Sequence, residues 1–335
     1  QEDLEKIPML TRADISREIA PIYNEEMKIA DIPTVFHEIE TNGIGYLDLM
    51  FDLSDVPEKD LPMVGLLQAV LGIIDTEHYE YGELFNEINR HTGGIGTSLE
   101  LYPDVTKVKE KEFKATFEIK GKALYGQIPF AIRMMKEILT ASKLDDEKRL
   151  KEILSMTKTR LQDRFLSAGH SAAALRAMSY KSPISKFKDT TNGIEYYQNI
   201  REMEEHFDEK KEEIISGLKA LSELLFRKGN VMISYTASRE GLAVLEEEIG
   251  SLKEALYPER TPESRCILHC EKKNEGFKTS SKVQFAAKAG NFIDAGEEYN
   301  GALQILKVIM SYEYLWINIR VKGGAYGCMS NFNRI

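Results

Sequence analysis

The sequence has little of several features that mark whole classes of protein. Its 335 residues contain no uninterrupted apolar run of about 18 residues, the length that would span a membrane. Three cysteines, an odd number, argue against a disulfide framework and favour a reducing compartment. No long basic run offsets the net charge of −10, which argues against a nucleic-acid surface. We therefore expect neither a membrane nor a nucleic acid among its partners.

What is present is an ordinary globular composition. With 42% hydrophobic and 29% charged residues, the chain can build one large core or two medium ones. It begins at Gln1 with no initiator methionine and no signal peptide, so we expect it to be a section of a longer protein. The apolar positions of residues 9–22 lack local partner surface, as expected for the tail of a preceding element.

Apolar periodicity predicts a two-layer α+β domain with an antiparallel sheet packed against helices. From Gly43 the pattern has a period of two, in which Leu47, Leu49 and Phe51 alternate with other side chains, typical of a half-buried strand. Further strands are expected at residues 95–103, 110–120 and 231–235. Helices are expected at residues 61–73, 81–89, 123–141, 145–168, 201–228 and 238–256, with a polar connection at 181–200.

A second and incomplete domain is expected towards the end of the chain. Pro258 begins a linker over residues 258–280, and residues 281–335 then supply a strand at 281–288 and a long apolar helix at 298–319. The apolar side chains of this helix cover more than one face, so it should be buried on several sides. One strand and one helix cannot bury that surface, and we therefore expect residues 281–335 to be the start of a truncated domain.

The end of this helix carries the pattern most suggestive of chemistry. Arg320 lies six residues before Tyr326, and Gly323 and Gly324 between them allow the chain to reverse. Such a reversal can direct a guanidinium and a hydroxyl at one point, which suits a peptide carbonyl or a developing oxyanion. The spacing alone is explained more simply by a helix C-cap with a basic last turn.

Two runs in this segment carry a family resemblance: Tyr314-Leu315-Trp316 and Ile319-Arg320-Val321-Lys322-Gly323-Gly324-Ala325-Tyr326-Gly327. The segment resembles the C-terminal half of the insulinase-type (pitrilysin, M16) zinc metallopeptidases, and most closely their presequence protease-like branch. The resemblance implies that residues 1–30 end a helical linker, that residues 31–257 form an α+β domain without the zinc motif, and that residues 281–335 start a second related domain.

The resemblance also implies a function. Enzymes of this family are clamshells in which the N-terminal half holds the zinc, and they degrade unstructured peptides inside a closed chamber. Arg320 would position a substrate carbonyl, Tyr326 would donate to the oxyanion of the tetrahedral intermediate, and Gly323 and Gly324 would lie beside the substrate. The partner of this chain would be the N-terminal catalytic half of the same polypeptide. The compartment would be a bacterial cytoplasm or, alternatively, a mitochondrial or plastid matrix.

The zinc motif of that family, His-x-x-Glu-His on a helix, does not occur in this sequence. Where the resemblance would place its ligands and base stand Met63, Leu66 and Leu67, which can neither bind zinc nor activate water. Glu77-His78 is a near match without the first histidine, and we interpret it as a surface loop. The resemblance therefore implies zinc in the full-length enzyme and no metal ligands in this chain.

Two other interpretations stay open. Cys266, His269 and Cys270 lie close enough in sequence to share a metal ion, although a fourth ligand is missing. The same fold also serves as a non-catalytic structural or assembly subunit in processing peptidases and respiratory core proteins, where a copy without zinc is normal. A His-x-x-Glu-His half fused upstream in the same reading frame would favour the peptidase.

Overall fold

The computed structural model describes residues 6, 8–18, 21–261 and 264–333. The parts of the predicted segments that fall on residues 1–5, 7, 19–20, 262–263 and 334–335 lie outside the described residues. A six-stranded sheet and the helices packed on one of its faces form an α+β domain, which confirms the predicted fold class.

Strands and helices follow one another irregularly along the domain. The strands are β1 (Glu25–Ile29), β2 (Ile32–Glu38), β3 (Ile44–Asp52), β4 (Ile95–Pro103), β5 (Phe113–Leu124) and β6 (Val231–Ala237). The helices are α1 (Leu61–Val70), α2 (Tyr81–His91), α3 (Ile128–Thr140), α4 (Glu147–Ser167), α5 (Gly169–Ser179), α6 (Pro183–Asn192), α7 (Ile194–Glu205), α8 (Phe207–Leu225) and α9 (Arg239–Ala255). After the domain come α10 (Ala302–Ile309) and its π-helical continuation (Met310–Val321).

The sheet has the strand order β1-β2-β6-β3-β5-β4, so β1 and β4 are its edges. Neighbouring strands are antiparallel except for β2 and β6, which are parallel. This pair departs from the wholly antiparallel sheet that the sequence predicts. Most of the domain separates the two strands along the chain, so no hairpin fixes their relative direction.

Alternation along the strands gives the sheet one apolar face and one polar face. Leu47, Leu49 and Phe51 of β3 are buried and join the helices in the hydrophobic core. Asp48 and Asp52, at the alternate positions, lie on the opposite face, which we call the open face. Removing the apolar face from water stabilises the domain by roughly 25 cal/mol per Å².

The sequence does not predict β1 and β2, and the helical linker predicted over residues 1–30 is wrong for the described residues. One 3-10 turn at Arg12–Asp14 is the helical structure described there, and β1 follows it. Only Ile29 of β1 is buried, so the sequence of β1 lacks the alternating apolar pattern that predicts a strand. The turn into β2 uses Ala30 and Asp31 at positive φ, 49° and 59°, in place of the Asn-Gly pair that signals such hairpins.

The predicted polar connection at residues 181–200 is also wrong, because α6 and α7 occupy it. Ser182 caps α6 by accepting a hydrogen bond from the amide of Ser185. The polar composition that suggested a loop includes side chains buried in the helix layer, among them the fully buried Asp189. The predicted helix over 201–228 is likewise two helices, since α7 ends and α8 begins at a break near His206.

Residues 264–275, which we call the strap, run along the helix layer without regular structure. Nδ1 of His269 lies 2.8 Å from Oε2 of Glu58, and Nε of Arg176 donates to Oε1 of Glu275 at 2.5 Å. Charged side chains of the domain therefore anchor the strap at its middle and at its C-terminal end, within the predicted linker.

The C-terminal segment departs from the prediction in two respects. No strand forms at residues 281–288, and α10 with its continuation contains no buried residue, although the sequence predicts a helix buried on several sides. Its apolar side chains stay exposed, and the described residues after β6 form no strand on which the helix could pack. No described helix is long and apolar enough to cross a membrane.

Candidate functional site

Two glycines shape the end of the π-helical segment. Gly324 has a φ of +71°, a conformation that residues with side chains rarely adopt. A Cβ atom on Gly323 would lie 2.6 Å from the carbonyl oxygen of Ile319. The amides of Gly324 and Ala325 donate to the carbonyls of Arg320 and Ile319 at 3.0 and 3.1 Å. The glycines therefore close the helix and reverse the chain, as their spacing predicts.

The Arg320 side chain is held on two sides. Its Nε donates to the backbone carbonyl of Tyr326 at 3.1 Å. Its guanidinium carbon lies 3.9 Å from the centre of the Trp316 ring. The two terminal guanidinium nitrogens form no hydrogen bond with the residues that the structure describes. One edge of the cation is therefore available to a ligand.

The Tyr326 side chain is 95% exposed, and its hydroxyl forms no hydrogen bond within the described part of the chain. The structure thus joins Arg320 to the backbone of Tyr326 and does not bring the guanidinium and the hydroxyl together. A helix cap accounts for the Nε bond. It leaves the exposed hydroxyl and the terminal nitrogens without a described role.

The positions that the resemblance aligns with the zinc motif lie on α1, inside the core. Leu66 and Leu67 are fully buried, and Met63 packs against the core beside Gly217 of α8. The described residues contain no group of three or more His, Cys, Asp or Glu side chains that could hold a metal ion. These apolar side chains do not fit a catalytic zinc, and they stabilise the domain by packing.

Cys266, His269 and Cys270 lie on the strap and do not form a metal cluster within the described residues. The His269 ring contacts Glu58. Burial raises the pKa of the Cys266 thiol to about 11 and also raises that of Cys270. Protonated thiols are poor metal ligands, because the thiolate is the coordinating form.

The open face carries a charged cluster that sequence reasoning missed. Nζ of Lys120 lies 2.8 Å from Oε2 of Glu118, 3.0 Å from Oε1 of Glu100 and 3.7 Å from Oδ2 of Asp48. The Tyr102 hydroxyl donates to Oε1 of Glu118 at 2.7 Å. Polar side chains at every second position of β3 and β5 signal a polar face. Only the strand register, which pairs Asp48 with Lys120, brings the charges together.

The two carboxyl groups of this cluster have opposite shifts in pKa. Burial, and then the hydrogen bond and charge of Glu118, raise the pKa of Asp48 to about 7. Burial also acts to raise the pKa of Glu118, but hydrogen bonds from Lys120, Thr116 and Tyr102 outweigh it, so this pKa is lowered. Near neutral pH, Glu118 is therefore charged while Asp48 is partly protonated.

We expect the substitution Asp48→Asn to stabilise the chain at pH 8 by on the order of 1 kcal/mol and to have little effect at pH 4. The folded chain binds a proton at Asp48 that the unfolded chain releases at its ordinary pKa of 3.8. The stability from this proton is therefore present below about pH 4 and is lost as the pH rises through 7. Asparagine stays neutral throughout.

Urea unfolding of both chains at pH 4 and pH 8 measures this difference. Glu26→Gln, which removes an exposed carboxylate on the edge strand β1, is the control. Its free energy of unfolding should equal that of the wild-type chain at both pH values. Equal stabilities of Asp48→Asn and wild type at pH 8 would contradict a raised pKa of Asp48.

Comparison with known proteins places the chain beside a group of peptidases. Residues 1–203 match the family described as associated with peptidases of M16 subfamily C, and residues 274–335 match the PreP C-terminal domain. A crystal structure described as a peptidase M16 inactive domain from Pseudomonas fluorescens covers 75% of this chain and 54% of its own, with 14% identity and a TM-score of 0.47.

Two curated relatives match almost the whole chain. Protein HypA of Clostridium perfringens is 37% identical over 334 residues, which are 100% of this chain and 34% of that protein. The chloroplastic/mitochondrial presequence protease 1 of Arabidopsis thaliana is 26% identical over 339 residues, which are 99% of this chain and 31% of that protein. The chain therefore spans about a third of the length of the relatives it matches.

Proposed function

Because the chain belongs to the family associated with peptidases of M16 subfamily C, we propose that it is the zinc-free C-terminal part of a longer zinc metalloendopeptidase that degrades unstructured peptides. We call that longer protein the full-length enzyme. Its zinc would be held by the N-terminal half, since Met63, Leu66 and Leu67 do not fit the metal. The relatives include a bacterial protein and a plastid or mitochondrial protease, so a bacterial cytoplasm or an organelle matrix is the proposed compartment.

In this proposal Arg320 binds the peptide substrate. The single observation that carries it is the open edge of a guanidinium whose other contacts, to the Tyr326 carbonyl and the Trp316 ring, are already made. Terminal guanidinium nitrogens form charge-assisted hydrogen bonds with carbonyl oxygens and hold them in a fixed direction. Arg320 would therefore fix the position of a substrate carbonyl.

Tyr326 would act next to Arg320 on the reacting peptide bond. Its hydroxyl is exposed and can donate a hydrogen bond to the oxyanion that forms when the scissile carbonyl is attacked. Gly323 and Gly324 leave the backbone of the turn uncovered, so a peptide can approach it closely. Neither Arg320 nor Tyr326 removes a proton from the nucleophile, and we expect the loss of either to leave zinc binding unchanged.

We expect Arg320→Ala to lower the kcat/KM of the full-length enzyme by about 10- to 150-fold, the value of hydrogen bonds to a charged group. KM should rise and kcat should fall, because the cation orients the carbonyl before and during the reaction. The measurement is the hydrolysis of an unstructured peptide over a range of concentrations, together with the zinc content.

Arg201→Ala is the matched control, since the Arg201 guanidinium also lies over an aromatic ring, that of Tyr197 on the same helix, at 5.9 Å. This control should keep wild-type kinetics. If Arg320→Ala also keeps them, Arg320 serves only as a helix cap, and the structural or assembly subunit becomes the better assignment.

A further inference from the structure

We infer that Trp316 is a positioning residue that holds the Arg320 guanidinium in the orientation in which it receives the substrate, an inference that rests on the proposed role of Arg320. The two residues lie four positions apart, about one turn of the helical segment, so their side chains stand on the same side. The guanidinium carbon lies 3.9 Å from the ring centre, which is close contact between a planar cation and an aromatic face.

Within the described residues, the Trp316 ring is not part of a hydrophobic core. No residue of α10 or of its π-helical continuation is buried, and Trp316 itself is 41% exposed. Among the described residues, Arg320 is the cation that stacks on this ring, and no aromatic side chain does. The stack on Arg320 is therefore the ring contact that the structure gives Trp316.

The two contacts of Arg320 together fix its orientation. Stacking on Trp316 sets the plane of the guanidinium, and the hydrogen bond from Nε to the Tyr326 carbonyl, 3.1 Å long, sets its rotation within that plane. The terminal nitrogens form no hydrogen bond with the described residues and can donate to a ligand. A free arginine side chain samples many rotamers, and ordering it in advance lowers the entropy lost when substrate binds.

The stack of Arg320 on Trp316 can be tested by fluorescence without an activity assay, because Trp316 is the only tryptophan in the sequence. Its fluorescence therefore reports on this site alone. In the chain as it stands, Arg320→Ala uncovers one of the two ring faces, and we expect quenching by acrylamide to increase by up to about twofold. Arg201→Ala should leave quenching unchanged. Equal quenching in Arg320→Ala and wild type would overturn the inference.

The positioning role is tested by kinetics in the full-length enzyme. We expect Trp316→Leu to lower kcat/KM by about 2- to 30-fold, the range that a cation–π contact supplies, with unchanged zinc content. Trp316→Phe keeps an aromatic face and should recover most of this loss. In an Arg320→Ala background, Trp316→Leu should have no further effect, because the residue that it positions is already gone.

The outcomes separate the inference from the proposed function. An undiminished effect of Trp316→Leu in the Arg320→Ala background shows that Trp316 acts on its own, and this overturns the inference. So does wild-type activity of Trp316→Leu when Arg320→Ala is impaired. Wild-type activity of Arg320→Ala itself overturns the proposed function and the positioning role with it, even if the fluorescence shows the stack.

Discussion

Replacing Tyr326 by phenylalanine should lower the kcat of the full-length enzyme by about a hundredfold to a thousandfold, the usual cost of removing one oxyanion donor. The loss should fall mainly on kcat, because the hydroxyl bonds to charge that exists only in the transition state. Phenylalanine keeps the ring and the backbone carbonyl that Arg320 contacts, so folding and zinc content should not change.

The control for this substitution is Tyr312→Phe. Tyr312 lies on the π-helical segment that precedes Tyr326 and is 68% exposed, so the change removes an accessible hydroxyl from a position with no proposed role. Peptide hydrolysis with saturating substrate measures kcat for both variants. A kcat of Tyr326→Phe within about threefold of the wild-type value would contradict the proposed hydrogen bond from Tyr326 to the oxyanion.

The second large effect concerns stability. We expect Arg176→Met to lower the free energy of unfolding by about 3–5 kcal/mol, the cost of breaking a buried ion pair by removing one partner. Nη1 of Arg176 lies 2.5 Å from Oδ2 of Asp189, and both residues are buried. Burial already raises the pKa of Asp189 even with the guanidinium beside it. Without Arg176 a carboxylate would be left uncompensated inside the helix layer.

Urea unfolding at pH 7 measures this loss, and a second substitution separates charge from packing. Adding Asp189→Asn should recover part of the stability, because the amide oxygen can still accept the hydrogen bond from the Ile194 amide while no charge stays buried. Arg201→Met, on the exposed side of α7, should change stability by less than about 0.5 kcal/mol. An equally small change in Arg176→Met would contradict the account of this pair.

Elements with strong apolar periodicity could be predicted from the sequence. The alternation of Leu47, Leu49 and Phe51 predicts β3, and β4 falls on the residues that its pattern indicates, 95–103. One face of β3 is buried and the apolar side chains of β4 are partly buried against the core, so the sequence has to alternate. The same logic places α1, whose apolar positions meet the core.

Elements held by long-range polar contacts could not be predicted in this way. The hairpin of β1 and β2 depends on backbone pairing and on a turn at Ala30 and Asp31, which carries no glycine signal. Helix α6 looks like a loop because its polar residues include Asp189, whose partner Arg176 lies on another helix. The pairing of such groups is a property of the folded chain and not of local composition.

The chain reversal at the candidate site could be predicted from the sequence, and the side-chain contacts around it could not. The spacing of Arg320, Gly323, Gly324 and Tyr326 predicts the chain reversal, because only glycine fits the two central positions. The stack of Arg320 on Trp316 needs the side-chain conformation as well as the spacing. The charged cluster around Glu118 needs the strand register, which sequence periodicity does not supply.

The proposal that this chain completes a peptidase site without holding its metal is tested most directly by one experiment. Zinc content and peptide turnover are measured together on the full-length enzyme carrying Arg320→Ala and Tyr326→Phe, beside a control carrying Arg201→Ala and Tyr312→Phe. We expect one zinc per molecule in both proteins and turnover reduced by at least about a hundredfold in the first alone. Wild-type turnover in the first protein, or loss of its zinc, would contradict the proposal.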